Sequence, residues 1–356
     1  RARSRGRQSE GLRNRLIVHP HRPTPRESMV LFLPAPASSV SVGMRPMLAL
    51  PCVLTAVIPP TILWSSSAYT SKEVIMKYFF ILGARDPEML EIARVLEAHG
   101  HPYTNATISV LSAAPGRSPH GESAGPSGHA KPRRRRKTIP VRSNEAYHAT
   151  GVQGLIPKDH RLVFVECSVF GLWPDEICDH HNEGDPGYGQ PPERYLEGSS
   201  LGQVLSLLGL EPTKEQRIIA AADHCLRHAY AGRCPGVDPE ELAAWRERSR
   251  AEVRGITVEE IRARIEAAME ALRKAPRITV AGEEVAWFPA GSGMPEEVPE
   301  ASARLGIPFC YTRREGGRGK SGIMSAPPHV IEAWMRECGL KDVYGDPARG
   351  FAGGYL

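Results

Sequence analysis

Two short, continuously apolar runs constrain this chain most. "YFFIL" (Tyr78–Leu82) and "RLVFVEC" (Arg161–Cys167) are too short for helices and lack polar alternation, so each reads as a buried strand. The first is followed by a Gly-containing loop and then a helical repeat in which Glu88, Ile92 and Leu96 share one face, stopped by Gly100. Strand, loop and helix in that order open an α/β unit. The fold class expected is α/β, a mostly parallel sheet with flanking helices. Such sheets gather functional side chains at the carboxyl ends of their strands, and "WPDEICDHH" (Trp173–His181) brings a third short apolar run up to an acidic-His cluster.

Helical pattern follows. "SSLGQVLSLLGL" (Ser199–Leu210) reads as an apolar helix, and Thr213–Gly232 as a single helix opened by a Thr213/Gln216 capping box, with Ile218, Ala222, Cys225 and Ala229 as its buried stripe. Asp223 lies at the edge of that stripe, where an acid needs a partner such as a metal ion or Arg227 one turn later. His224 and His228, four apart, can hold zinc only if further ligands join them. Two amphipathic helices over 236–275, the second capped by Thr257 and Glu260 and buried through Ile261, Ile265, Ala268 and Leu272, read as a helical connector. Beyond Pro276, "RITVAGEEVAWFPA" and "IPFCYTR" read as strands between Gly/Pro turns, followed by one helix (Pro328–Cys338) and a Gly-rich end. This is a smaller α+β domain over 276–356.

At 356 residues and 41% hydrophobic, the chain can bury a core large enough for two domains. Its net charge of +5 argues little for a nucleic-acid binder, because much of the excess sits in an Arg-rich N-terminus and in the basic run of a Gly/Ser/Pro-rich insertion, 114–140. That insertion is expected to be solvated, although "RRRRK" (133–137) also suits phosphate contact or a localisation signal. Residues 1–75 read as a disordered or leader-like extension. Within it, Met44–Trp64 is apolar but interrupted by Pro46, Pro51, Pro59 and Pro60, so no stable membrane association is expected. Seven Cys without a CxxC pair fit reduced thiols and a cytoplasmic location.

The densest chemistry lies in "CDHHNEGDPGYG" (Cys178–Gly189). Carboxylate and imidazole together suit a borderline divalent ion, Mn²⁺, Co²⁺ or Zn²⁺, but Asp179, His180 and His181 alone are too few ligands. Glu166 ends one strand, Glu88 follows another and Asp223 sits on a core-facing helix, so four segments can converge. The competing interpretation is a hydrogen-bonded polar turn, in which Asp185 and Tyr188 merely shape the loop.

"ICDHHNEGDPGYG" after "RLVFVEC" resembles the Asp-His-His signature of the DHH phosphoesterase superfamily, which includes exonucleases, oligoribonucleases, cyclic-dinucleotide phosphodiesterases and manganese inorganic pyrophosphatases. "FFILGARDPEMLEIARVL" resembles that family's first motif, "YLEGSSLGQVLSLL" its Ser-containing helix, and "AAADHC" stands where a fourth Asp motif is expected. "GGRGKSGI" and "VYGDPARGFAGGYL" resemble the Gly-rich elements of the associated DHHA1 substrate domain. The resemblance implies a DHH-like metal-binding domain over 76–235 and a DHHA1-like domain over 276–356. It further implies a metal set of Asp179, His180, Glu166, Asp223 and Glu88, with His181 at the phosphate and Asp179, His180 and His181 as the catalytic triplet. Arg313, Arg314, Arg318, Lys320 and Arg349, with Gly353 and Gly354, would bind substrate. The implied activity is hydrolysis of a phosphodiester or phosphomonoester, dependent on Mn²⁺ or on Co²⁺, Zn²⁺ or Mg²⁺. Its partner would be a phosphorylated small molecule, a nucleotide or a short single-stranded nucleic acid.

The first motif departs from the family pattern. Ala84 stands where His is expected, Leu90 where the second Asp is expected, and Glu88 and Glu166 replace Asp. Asp86 and Glu91 are the nearby acids able to substitute. One tight ion is therefore expected, with Ala84→His plus Leu90→Asp rebuilding a second site. The alternative function is a catalytically impaired DHH-like nucleotide- or metal-binding sensor, and a weaker one is a nucleic-acid accessory protein acting through "RRRRK".

Overall fold

The computed structural model describes residues 77–111, 136–143, 145–315 and 318–356. The expectations for residues 1–75, including the apolar Met44–Trp64 segment, and for most of the 114–140 insertion lie outside the described residues. The fold is mixed α/β, with two mixed sheets and nine α-helices among the described residues, and Ser71–Leu356 form one compact unit. No helix among the described residues is long and apolar enough to cross a membrane.

The first sheet contains β1 (Tyr78–Leu82), β2 (Tyr103–Leu111), β3 (Arg136–Pro140), β4 (Gly151–Val152), β5 (Arg161–Val165) and β6 (Glu176–Cys178), in the order β3-β2-β1-β5-β6 with β4 beside β2. β1 pairs parallel with β2 and β5, and β5 with β6, whereas β3 and β4 run antiparallel to β2. The expected mostly parallel sheet is thus found in part, as a parallel core of β2, β1, β5 and β6 with β3 and β4 added antiparallel. β2 continues far enough to template β3, so Arg136 and Lys137 at the end of the basic insertion belong to a strand. Period-two alternation divides the apolar runs between two faces. Phe80, Leu82, Val163 and Val165 pack with Met89, Ile92, Leu96, Leu201 and Ile219, while Phe79, Ile81 and Phe164 pack with Val141, Ala146 and Val169.

The helices are α1 (Pro87–Ala98), α2 (Tyr195–Gly198), α3 (Ser200–Leu207), α4 (Lys214–His224), α5 (Leu226–Tyr230), α6 (Pro239–Arg254), α7 (Val258–Lys274), α8 (Val298–Leu305) and α9 (Pro328–Glu337). The pattern over Thr213–Gly232 predicts one helix. The structure breaks it at Cys225 (φ −149°, ψ 48°), between α4 and α5. The Asp223 and His224 carbonyls, left without onward helical partners, instead accept hydrogen bonds from Arg349 at 3.0 and 2.9 Å.

The second sheet is β11-β12-β10-β9-β8-β7, built from β7 (Arg277–Val280), β8 (Glu283–Phe288), β9 (Phe309–Glu315), β10 (Arg318–Met324), β11 (Lys341–Asp346) and β12 (Phe351–Tyr355). Its ladders are antiparallel except β8 with β9. The Gly-rich end supplies β11 and β12. α8, hidden in the sequence among Pro and Gly, is held by its buried Glu297 and Glu300, which pair with Arg250 and Arg246 of α6. A buried carboxylate is tolerated there because each has a guanidinium partner.

A candidate metal centre at the strand ends

β1 and β5 finish side by side. Gly83 permits this closeness, since a Cβ there would lie 2.3 Å from the Glu166 carbonyl oxygen. Glu166 itself adopts φ 48°, a left-handed conformation that costs a non-Gly residue roughly 1–2 kcal/mol. The kink turns its buried carboxylate toward His180, with Oε1 3.5 Å from Nε2. Glu88 arrives from the first turn of α1, which is capped by Asp86 accepting from the Met89 amide at 2.8 Å. Its Oε1 accepts from the Leu201 amide at the start of α3, at 3.0 Å. Asp223 comes from the end of α4, with Oδ2 3.1 Å from His180 Nε2.

One ligand atom each from Glu88, Glu166, His180 and Asp223 lies within 4.8 Å of the others, and Glu166, His180 and His181 form an overlapping group. Glu88 Oε2 is buried and has no hydrogen-bond partner, while the buried His180 Nε2 lies against Glu166 Oε1 at 3.5 Å and Asp223 Oδ2 at 3.1 Å. An unsatisfied buried polar atom costs about 1–3 kcal/mol, and an orphan carboxylate oxygen beside two further carboxylates and an imidazole describes a site shaped for a cation. Asp223 and His181, with side chains 31% and 37% exposed, form its open side.

The electrostatics agree with that geometry. Burial, then the charges of Glu166 and Asp223, push the Asp86 carboxyl up to about 8. Burial and then Asp223 and Glu166 likewise hold Glu88 well above the carboxylate range. Burial opposes ionisation of Asp223, but the His180 contact and the Arg349 charge overcome it and lower its pKa. Burial also disfavours a charged His181, yet its hydrogen bond to Asp179 and the Glu166 charge raise it to about 9. The ring is therefore cationic at neutral pH.

Asp179, expected as a ligand, occupies a different place. Its oxygens accept from the Tyr147 hydroxyl at 3.0 and 2.8 Å, from the His180 and His181 amides at 2.7 and 3.0 Å, and from His181 Nδ1 at 2.9 Å. It is in neither ligand group and orients the two histidines instead. Gln203 of α3 brackets the triplet through the Asp179 amide and carbonyl, at 3.0 and 3.2 Å. Asp185 closes a turn onto the Asn182 amide at 2.7 Å. Tyr147 and Gln203 escape a sequence reading because neither lies in a periodic or spaced motif with Asp179; only the folded sheet joins them.

Of the two acids expected to replace the first motif, Glu91 turns elsewhere, whereas Asp86 caps α1 and feels the charges of Glu166 and Asp223. Glu91 pairs with Arg94 and accepts from Gln216 at 3.0 Å. Leu90 is 39% exposed, while Glu88, two residues earlier on the same helix, is buried. Residues two apart on a helix point in opposing directions, so Leu90→Asp would face solvent. This corrects the expectation of a rebuilt second site: elemental analysis should find the same number of tight ions per chain with and without that substitution. The His224/His228 pair is also undone, because the break at Cys225 puts the two residues on separate helices, and His224 Nε2 lies 3.0 Å from the Gln190 carbonyl oxygen.

From the second sheet, Arg349 reaches the centre directly. It donates to the carbonyls of Asp223, His224 and His180, and its Nη2 lies 3.6 Å from the Asp223 carboxylate. Asp346, fully buried, accepts from the Gly189 amide at 3.1 Å, and the Tyr188 hydroxyl donates to the Gly345 carbonyl at 3.1 Å. Lys320 stands opposite Arg313 on β9 and Tyr355 on β12, so the three share a face. Arg313 lies over Tyr311, Arg318 over Tyr355, and Lys320 over Tyr344 and Tyr355. Arg314, opposite Gly319, is on the reverse face. Gly353 and Gly354 do not present bare backbone to an open space: a Cβ would lie 2.5 Å from the Tyr344 hydroxyl at the first and 2.8 Å from Leu340 Cβ at the second. Their small size admits those side chains. Compared with protein-family models and with curated protein sequences, the chain matches none.

Proposed function

We propose that this chain is a divalent-metal-dependent phosphoesterase of the DHH type, acting on a phosphodiester or phosphomonoester of a nucleotide or short oligonucleotide. The observation that carries the reading is the convergence, within 4.8 Å, of ligand atoms from Glu88, Glu166, His180 and the partly open Asp223, with an unpartnered buried Glu88 oxygen and a cationic His181 beside them. In the finer fold reading, 76–235 is a DHH-like domain organised on the parallel core of the first sheet, 236–275 a connector and 276–356 a DHHA1-like substrate domain.

Glu88, Glu166, His180 and Asp223 would hold the ion, and one imidazole among three carboxylates favours Mn²⁺, Co²⁺ or Zn²⁺ over Mg²⁺. A divalent ion there supplies Lewis acidity and a water made acidic enough to attack phosphorus near neutral pH. His181 commits Nδ1–H to Asp179 and keeps its second ring proton for a phosphoryl oxygen or the leaving group. Tyr147 steadies Asp179 as the partner of that imidazolium. Arg349 adds positive charge beside Asp223, and the cation-and-tyrosine face of Arg313, Arg318, Lys320, Tyr344 and Tyr355 suits the phosphates and bases of a nucleotide. The described cysteines are all free, in keeping with a cytoplasmic setting.

One observation favours the second reading, a nucleotide- or metal-binding sensor without turnover. With Ala84 apolar and Leu90 facing outward, the ligand groups overlap on one point, enough for a single ion. The two readings separate on Mn²⁺-dependent phosphate release from a bis-aryl phosphodiester and a short oligoribonucleotide. Turnover lost in Glu166→Gln supports the hydrolase. Tight nucleotide binding with no turnover in the unmodified protein supports the sensor.

A further inference from the structure

Behind the imidazole that faces the metal centre lies a second buried histidine with no part in the chemistry above. His224, the last residue of α4, is 1% exposed. Its Nδ1 lies 3.2 Å from His180 Nδ1, and its Nε2 lies 3.0 Å from the Gln190 carbonyl oxygen. His180 Nδ1 also lies 3.0 Å from the Gly198 carbonyl oxygen. A carbonyl only accepts, so the ring protons are assigned from their partners: Nδ1–H of His180 toward Gly198, and Nε2–H of His224 toward Gln190. His224 Nδ1 is then a bare acceptor that shares the His180 Nδ1 proton. His180 Nε2 is left facing Asp223 Oδ2 at 3.1 Å and Glu166 Oε1 at 3.5 Å, the carboxylates of the metal centre. The reverse assignment would set a bare ring nitrogen against each of two buried carbonyls.

The surroundings hold this pair in register. A Cβ on Gly198 would sit 2.4 Å from His224 Cε1 and Nε2, so glycine alone lets the imidazole lie against that backbone. Arg349 Nε grips the His224 carbonyl at 2.9 Å. The segment carrying Gln190 is anchored one residue earlier, where the Gly189 amide donates to Asp346.

We propose that His224 is a positioning residue for the metal centre: by sharing the His180 Nδ1 proton and tying it through its own ring to the Gln190 carbonyl, it fixes the ring with Nδ1 turned away from the centre and Nε2 aimed at a divalent cation. The inference rests on the metal-site reading above. His224→Phe keeps a ring but removes both nitrogens. His224→Gln retains an acceptor for His180 and a donor for Gln190.

Calorimetric Mn²⁺ titration of the full chain and both variants, with long-range ¹H–¹⁵N spectra of the metal-free protein at pH 9, tests this. Loss of an outer hydrogen-bond partner typically weakens metal binding 10–100-fold. His224→Phe should fall by about that factor and His224→Gln by no more than about threefold, with His180 protonated on Nδ1 and His224 on Nε2 in the unmodified protein. A His224→Phe protein binding Mn²⁺ as tightly as the unmodified one, a His224→Gln protein as weak as His224→Phe, a His180 ring without a proton on Nδ1, or a proton on His224 Nδ1 would overturn the proposal. If the unmodified protein binds no Mn²⁺, the metal-site reading falls, and with it the role of His224, while the spectra still report whether the proton arrangement exists. If His224→Phe does not fold, His224→Gln and the spectra decide.

Discussion

If the proposed reading holds, Asp223→Ala should remove tight Mn²⁺ binding and lower Mn²⁺-dependent phosphodiester hydrolysis by roughly 10²–10³-fold or more, the scale of losing one preorganised electrostatic group from a reacting centre. Asp223 is the one carboxylate of the ligand group that is partly open to solvent, and it holds both His180 Nε2 and, at 3.6 Å, Arg349 Nη2. Without it, Glu88, Glu166 and His180 would lack the fourth ligand of the proposed site, and Arg349 would lose its counter-charge. Asp223→Asn keeps the shape and removes only the charge. Its loss of Mn²⁺ affinity by calorimetry should approach that of the alanine variant, whereas a purely structural role would leave it close to the unmodified protein. Asp179→Asn should act differently: Mn²⁺ binding persists while hydrolysis falls, because Asp179 supports the charge of His181 and belongs to neither ligand group.

The second large effect is on stability. An ion that binds only the folded chain stabilises it by about 2.7 kcal/mol at one hundred times its dissociation constant. For a chain of this size that raises the melting temperature by roughly 3–5 °C, readable by calorimetry with and without Mn²⁺. The same groups give the metal-free protein a pH slope. Asp86, pushed up to about 8 from 3.8, and Glu88, also raised, bind protons more tightly folded than unfolded, so their stabilisation is complete at acid pH and is lost as pH rises toward about 8. His181, raised from 6.5 to about 9, stabilises fully below 6.5 and loses that contribution as pH climbs through 9. All three act in one direction, so the metal-free melting temperature should fall between pH 6 and pH 9. Saturating Mn²⁺ should flatten or reverse that slope, because the ion takes the place of the protons. A metal-free protein that becomes more stable over this range would contradict the cluster as described.

Much of the first sheet can be read from the chain because burial on both faces leaves a continuous apolar signature, as in Tyr78–Leu82 and Arg161–Val165. β2 escapes notice because "YTNATISVL" mixes Thr, Asn and Ser into a strand that is only partly buried, and β3 follows from β2. α8 is masked by the Pro at its start and the Gly at its end, punctuation that also marks turns. The break at Cys225 has no local signal, since helix propensity continues through "AADHCLRHAY" and only Arg349, 125 residues beyond His224, supplies the alternative partner. At the site, His180, Glu166, Asp223 and Glu88 can be singled out because acids and a histidine near strand ends are chemically unusual. The place of Asp179 cannot, because ligation and orientation demand the same residue type. Tyr147, Gln203 and His224 decide the difference, and they act through hydrogen bonds that no spacing encodes.

The most direct measurement is anomalous diffraction from crystals grown with Mn²⁺, which locates the ion and its ligands without reference to activity. One peak per chain is expected, with ligand distances of about 2.0–2.3 Å to Glu88, Glu166, His180 and Asp223, and with Asp179 still hydrogen-bonded to Tyr147 and His181. A peak ligated by Asp179, two fully occupied peaks about 3.5–4 Å apart, or no peak at the strand ends would contradict the account.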